Sequence, residues 1–264
     1  MKTERRAAAL ARLYDLDLAD DPGDLDLYRA LATRTGGPIL ELMAGSGRLA
    51  VPLAAAGHTV VAVDADEAML ARARVAAAVA GRVAGRALSV VRADVAEFRD
   101  DGGPRFRLAF IALGSLMLLP DRAAQRRAIE TLAVHLAPDG LAVVDLWLPD
   151  AAGLARCEGQ LTLEWTRTDG SGRVVTKTMS ARHDAAAAAV DLTTVFEEGM
   201  PGEAPARWIR EDRLALVDAP TLVDLVEGAG LAVEMLAGDY DLGPLEPGAD
   251  RIVLVATRPR LLPA

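Results

Sequence analysis

Three carboxylates stand where apolar runs end: Glu41 in ILELMAGSG, Asp64 in HTVVAVDADEAML and Asp94 in ALSVVRADVAEF. A carboxylate there can accept hydrogen bonds from the hydroxyl and amino groups of a ligand, and an aspartate can take two neighbouring hydroxyls at once. Gly45 and Gly47 follow the first acid and permit a tight backbone turn. An apolar run, a glycine turn and then an acid closing the next run is the pattern of a nucleotide site, with the second acid on the ribose. On the glycines alone, GSGRLA (Gly45, Gly47, Ala50) satisfies the dinucleotide pattern Gly-x-Gly-x-x-Gly/Ala. That pattern has no general need of Glu41 or Asp94. Glu41 can hold the loop backbone or meet a ligand amino group, and Asp94 can accept from an adenine amino group.

The elements around these residues alternate. GPILELM reads as a strand, GRLAVPLAAAG as a helix stopped by Gly57, and HTVVAVD as a second strand. DEAMLARARVAAAVAGR is a helix that Asp66 caps. ALSVVRAD, FRLAFIALGS and LAVVDLWLP are three more strands. The helix DRAAQRRAIETLAVHLAPDG lies between the last two and is stopped by Pro138-Asp139-Gly140. Continuous Val/Ile/Leu runs separated by helices indicate a parallel sheet buried on both faces, hence an α/β, doubly wound Rossmann-like domain. After Pro149 the runs shift to partial period-2 alternation punctuated by Gly and Asp: LTLEWTRT, RVVTKTMSARH, VDLTTVFEEG and RWIREDRLALV. They suggest about four antiparallel strands, with Ala185–Ala189 as a hairpin connection or a short helical turn. APTLVDLVEGAG returns to helical spacing, and LAVEMLAG and RIVLVATRP close the chain as strands. The expected division is a helical cap over residues 1–37, a nucleotide-binding domain over 38–154 and 218–260, and an inserted antiparallel sheet over 155–217.

Composition narrows the partners. The 264 residues carry a formal net charge of −9, with acids and bases interspersed, which argues against a broad nucleic-acid face. No window approaches the roughly 18 apolar residues of a membrane span, and the N-terminus lacks the apolar core of a secretory signal. The single cysteine, Cys157, excludes an intrachain disulfide and a cysteine metal cluster, and fits a reducing cytoplasm. His58 and His183 have no metal-ligand spacing, so no metal is expected, and His135 reads as structural.

In these motifs the sequence resembles the class I S-adenosylmethionine-dependent methyltransferases, from about residue 14 to about 258. The family's acid-x-Gly-x-Gly-x-Gly is matched by Glu41-Leu42-Met43-Ala44-Gly45-Ser46-Gly47, with Met43 replacing the first glycine. DADEAML is similar to its acid loop, ADVAEF to its adenine-amide segment, and FIALGSLMLL to its fourth motif, where Gly114-Ser115 stands at the frequent Asp or Asn. The resemblance implies S-adenosylmethionine as cofactor. It implies contacts from Glu41, Met43, Ala44, Gly45, Gly47 and Arg48, from Asp64 to the ribose, and from Ala65 and Met69 to the adenine faces; Asp94, Val95 and Leu113 complete the set.

Within that superfamily the chain is similar to bacterial small-molecule methyltransferases, the aminosugar N-methyltransferases among them, through Tyr14-Asp15, the inserted sheet and the closing strands. By that resemblance Tyr14 lies over the methionine end of the cofactor. Tyr14 and Ser115 are the candidates near the reacting centre, and Trp147, Arg213 and Tyr240 are weaker pocket candidates. Trp165 and Trp208 read as core or dimer-interface residues. The implied reaction is in-line methyl transfer to N or O of a small molecule, which needs approach and alignment rather than a fixed triad. The implied partner is that acceptor, with neither nucleic acid nor membrane, and the inserted sheet is a possible homodimer face. Two other readings stay open here: an NAD(P)-dependent oxidoreductase and a non-catalytic cofactor-binding protein.

Overall fold

The computed structural model describes residues 2–100, 106–149, 154–155, 158–200 and 202–259. Cys157 lies outside them.

The chain opens with helices α1 (Lys2–Asp17) and α2 (Leu25–Thr35). Strand and helix then alternate through β1 (Ile39–Leu42), α3 (Ala50–Ala55), β2 (Val60–Asp64), α4 (Glu67–Ala80), α5 (Arg82–Ala87), β3 (Leu88–Arg92) and β4 (Phe106–Ile111). A short 3-10 turn (Ser115–Leu118) leads to α6 (Arg122–His135) and β5 (Leu136–Trp147). Four strands follow, β6 (Thr162–Thr168), β7 (Val174–Asp184), β8 (Ala189–Gly199) and β9 (Ala206–Ala215), then α7 (Ala219–Gly228), β10 (Ala232–Ala237) and β11 (Arg251–Thr257).

Seven strands form one sheet in the order β10-β11-β5-β4-β1-β2-β3. The five from β5 to β3 are parallel, and β11 and β10 add antiparallel strands at one edge. This is the doubly wound Rossmann-like arrangement that the strand-helix alternation predicts. β1 is buried at all four positions and sits between β2 and β4, where the winding of the sheet reverses. In open α/β sheets the carboxyl ends of the strands at such a reversal form the ligand crevice. Four strands form a second, antiparallel sheet in the order β6-β7-β8-β9, as the alternation after Pro149 predicts. Residues 185–188 are the β7–β8 hairpin turn, with Ala188 at φ 47°.

One expected boundary shifts. α6 ends at His135 rather than at Pro138-Asp139-Gly140, because that tripeptide belongs to β5. The Asp139 N–H donates to the Arg258 carbonyl and the Arg258 N–H to the Gly140 carbonyl, which binds the tripeptide to the end of β11. Gly140 is required there: a Cβ would lie 2.9 Å from the Ala137 carbonyl oxygen and 3.0 Å from that of Phe106.

The chain folds as two compact units, residues Met1–Ala19 with Pro149–Leu216, and Asp20–Leu148 with Val217–Ala264. The segment expected as one cap over residues 1–37 thus divides between them. In the first unit Leu10, Leu13 and Leu16 of α1 pack on Val175, Phe196, Trp165 and Trp208 of the second sheet. The amphipathic helix and the sheet each present an apolar face that needs burial, so covering one with the other stabilises both. The two tryptophans are half-buried and pack against this core. Their ring N–H groups are satisfied, Trp165 donating to Asp17 and Trp208 to Glu198, each at 2.8 Å. Among the described residues no helix is long and apolar enough to cross a membrane.

Candidate functional site

The loop from β1 to α3 carries three left-handed residues within five positions, Met43 (φ 59°), Gly45 (φ 55°) and Gly47 (φ 78°). A side chain is disfavoured in that conformation, which explains why the related pattern has glycine where Met43 stands. The loop is stitched to the end of β2: Ala44 N–H donates to the Val63 carbonyl at 2.9 Å and Gly45 N–H to Oδ2 of Asp64 at 2.8 Å. Gly47 serves the packing. A Cβ on it would lie 3.0 Å from Cβ of Ala73 on α4 and 3.1 Å from Cγ2 of Val51 on α3.

Glu41 is buried, and its Oε2 has no hydrogen-bond partner. Burial pushes its carboxyl up to about 8, against the opposing pull of the Arg48 guanidinium and of a hydrogen bond from the Ala50 N–H. A buried acceptor without a donor is costly, so such an atom marks a place where a ligand donor completes the structure. Asp64 is half-buried, and burial also raises its carboxyl. Its Oδ1 accepts from the Asp66 N–H at 2.8 Å and its Oδ2 from Gly45. The Ala65 N–H also bonds to this carboxylate, and of its roughly four acceptor positions the remainder is open to a ligand.

Asp66 caps α4 as expected, accepting from the Ala68 and Met69 N–H groups. Asp94 is exposed and closes a turn, its Oδ1 accepting from the Ala96 N–H at 2.8 Å. Beside these, Val95 is buried, Met69 half-buried and Ala65 exposed. Leu113 is left-handed (φ 54°), and Ser115 follows two residues later, its hydroxyl donating to the Ala112 carbonyl at 2.7 Å.

Other candidates have different neighbours. Arg48 is half-buried and bound to Asp24 by two hydrogen bonds of 2.5 Å, which commits its guanidinium to the protein. Tyr14 lies on α1 in the unit of the second sheet. Arg213 is in the same unit, paired with Asp184 and Asp191 at 2.8 and 2.7 Å. Trp147 ends β5 and is 38% exposed.

A further cluster escaped the sequence reading: Asp24, Tyr28 and Asp145, all buried, joined by Tyr240. Asp145 stands alone in the apolar run LAVVDLWL, the same signal that singles out Glu41, so it was findable. Asp24 and Tyr28 in DLDLY carry no such mark. Tyr28 and Tyr240 donate to the two carboxylate oxygens of Asp145 at 2.7 and 3.2 Å, and the Arg251 guanidinium stacks 4.2 Å from the Tyr240 ring centre.

Residues 39–140, the stretch holding this loop and the three strand-end acids, match the model of the methyltransferase domain family. That stretch is a methyltransferase domain. S-adenosylmethionine is the cofactor to which this points. No match is found among curated protein sequences. The fold is similar to that of several solved methyltransferases. The CcbJ methyltransferase of Streptomyces caelestis is 24% identical, with 91% of this chain and 97% of that one covered and a TM-score of 0.73. The sugar N-methyltransferase KedS8 of Streptoalloteichus is 21% identical, with 94% and 93% covered and a TM-score of 0.72. An amino pentose methyltransferase of Micromonospora echinaspora, solved with its cofactor bound, is 17% identical, with 93% and 96% covered and a TM-score of 0.70.

The residues of the methyltransferase domain fit that cofactor. Glu41 offers a buried acceptor that an amino group would satisfy, and Asp64 keeps acceptor capacity for a ligand hydroxyl.

Proposed function

We propose that this chain transfers the methyl group of S-adenosylmethionine to a nitrogen or oxygen of a small molecule, and that an amine on a sugar is the first acceptor class to test. The observation that carries the reading is the unpartnered buried oxygen of Glu41 beside the Gly45–Asp64 contact, at the reversal point of the parallel sheet. In this reading Glu41 accepts from the cofactor's amino group, Asp64 accepts from both ribose hydroxyls, and Asp94 accepts from the adenine amino group. Ala65, Met69 and Val95 pack on the adenine, and the backbone of Met43, Ala44 and Gly45 forms the wall of the site. Arg48, bound to Asp24, holds the loop rather than the ligand. Leu113 closes the site from the β4 side, and Tyr14 and Ser115 are the candidates for orienting the acceptor.

When bound, the cofactor supplies a methyl group on a sulfonium, already activated for displacement. The chain's own contribution is therefore alignment and exclusion of water, with an acceptor amine losing its proton to solvent or a weak base. Similarity to a sugar N-methyltransferase and an amino pentose methyltransferase supports nitrogen as the first atom to try. The second sheet, which lies in a compact unit of its own, is where we assign acceptor choice. The test is calorimetry with S-adenosylmethionine and S-adenosylhomocysteine, followed by an acceptor screen with labelled methyl donor over amines, aminosugars and phenols. One-to-one binding and label transfer are expected; binding of NADH with neither nucleoside bound would overturn the reading.

A further inference from the structure

The carboxylate of Asp145 receives donors from three separate segments. Tyr28 of α2 donates its hydroxyl to Oδ2 at 2.7 Å, and Tyr240, after β10, donates to Oδ1 at 3.2 Å. The backbone N–H of Leu113, after β4, donates to Oδ1 at 2.8 Å. The main chain of the same residue adds a fourth bond, its carbonyl accepting from the Gly114 N–H at 3.1 Å. The turn it grips is strained. Leu113 and Gly114 are consecutively left-handed, at φ 54° and 68°, and Leu113 has no glycine's freedom to be so. A leucine holds such a conformation when its surroundings fix it, and the bond to Oδ1 is the contact that fixes its N–H.

Resting on the cofactor reading above, we propose that Asp145 is a positioning residue, whose carboxylate holds the Leu113-Gly114 turn in its left-handed form and so shapes the β4 wall of the cofactor site. Asp145 is buried, and desolvation raises its carboxyl to about 6, opposed by the bonds from Tyr28, Leu113 and Tyr240. The ionisable groups facing it are Asp24 and Tyr28 on the α2 side, Tyr240, and Arg251 of β11 behind the Tyr240 ring. Of these, Asp24 is paired with Arg48, and its charge still raises Asp145. Protonation of Asp145 therefore turns an acceptor of several bonds into a poorer one just below neutral pH, which the Leu113 N–H senses directly.

The test uses the amide of Leu113, which reads the contact without any activity. In the parent its NMR shift should titrate with a midpoint near 6, the value at which Asp145 takes up a proton. Asp145→Asn keeps a carbonyl oxygen for the Leu113 N–H but cannot titrate. Its Leu113 amide should stay protected from exchange with a flat shift, and its affinity for S-adenosylhomocysteine should stay within about threefold of the parent. Asp145→Ala removes the acceptor, so exchange at Leu113 should speed up and that affinity should fall, each by roughly tenfold. Tyr240→Phe removes one donor at a half-buried ring and should shift the Leu113 titration midpoint upward, which keeps the claim testable should the Asp145→Ala protein fail to fold. A Leu113 shift that is flat between about pH 4.5 and 8 in the parent, or unchanged protection in Asp145→Ala, overturns the proposal. If the parent binds no S-adenosylhomocysteine, the cofactor reading falls, while the Leu113 titration and exchange still decide the role of Asp145.

Discussion

The two units treat their acids in opposite ways. At the carboxyl edge of the parallel sheet burial raises Glu41, Asp64 and Asp145 from the ordinary carboxylate value, Glu41 and Asp145 most clearly. On the antiparallel sheet Asp169, Asp184 and Asp191 are held below it by hydrogen bonds, the first chiefly from Ser171, the others from Arg213 and Arg182. Acids of the second kind are already satisfied and have little left to offer a ligand. Those of the first kind are held at a cost in desolvation, most visibly at Glu41 with its unpartnered oxygen. Perturbation by burial within a crevice marks a functional edge, whereas perturbation by a surface arginine marks ordinary sheet chemistry.

Removing an acid of the first kind tests that contrast most directly. Asp64→Ala should weaken S-adenosylhomocysteine binding by about 30- to 1000-fold, or roughly 2–4 kcal/mol, because two charge-assisted acceptors are lost. Calorimetry measures this, and affinity equal to the parent would remove Asp64 from the ribose. Stability should fall as well, by about 1–2 kcal/mol, because Asp64 also binds the N–H groups of Gly45 and Asp66. An acid at a loop position supports little packing, and it is the two backbone bonds that give this one a structural share.

Glu41 gives the next largest effect, in the pH dependence of unliganded stability. Its carboxyl rises from 4.5 unfolded to about 8 folded, so within that window the folded state holds the proton that the unfolded state has released. The stability is therefore fully present below the lower value and is lost as pH rises toward the upper one. The slope is up to about 1.4 kcal/mol per pH unit, or roughly 2–3 kcal/mol between about pH 5.5 and 7.5. Denaturant titrations of the parent and of Glu41→Gln should differ by that slope, with the share of Asp145 remaining in both at the acid end. Parallel curves would show that Glu41 is ionised in the free protein.

Gly47→Ala places a methyl group 3.0 Å from Ala73 and 3.1 Å from Val51, on a backbone at φ 78°. We expect a loss of about 1–3 kcal/mol in stability from strain and overpacking, read as a lower melting temperature. Gly36→Ala is a control: it is left-handed too (φ 81°) but has nothing within 4 Å, so it isolates the backbone part. Equal losses in the two would show that α4 yields to the methyl group.

The smallest effect belongs to the second sheet. Arg182→Ala breaks an exposed pair with Asp191, which keeps Arg213 as a partner. The melting temperature should stay within measurement scatter, since exposed ion pairs contribute little. A clear loss there would mean that the arginine lattice stabilises the sheet, and the contrast between the units would narrow.

The residue pattern by itself determined the alternation of strands and helices, the change to antiparallel strands after Pro149, the cap at Asp66 and the three acids at strand ends. These are local matters: the side-chain period sets the element, and a turn residue or an acid at its end is read within a few positions. Only the tertiary structure decided which polar side chains would share a buried site. Asp24 meets Arg48 across 24 residues, Tyr28 meets Asp145 across 117, and Tyr240 meets it across 95. It also decided that Gly47 makes room for α4, that α1 covers the second sheet while α2 belongs to the first, and that Pro138-Asp139-Gly140 joins β5. The reason is physical. Desolvation and steric clearance depend on what the rest of the chain brings alongside a residue, and neighbours in sequence carry no record of it.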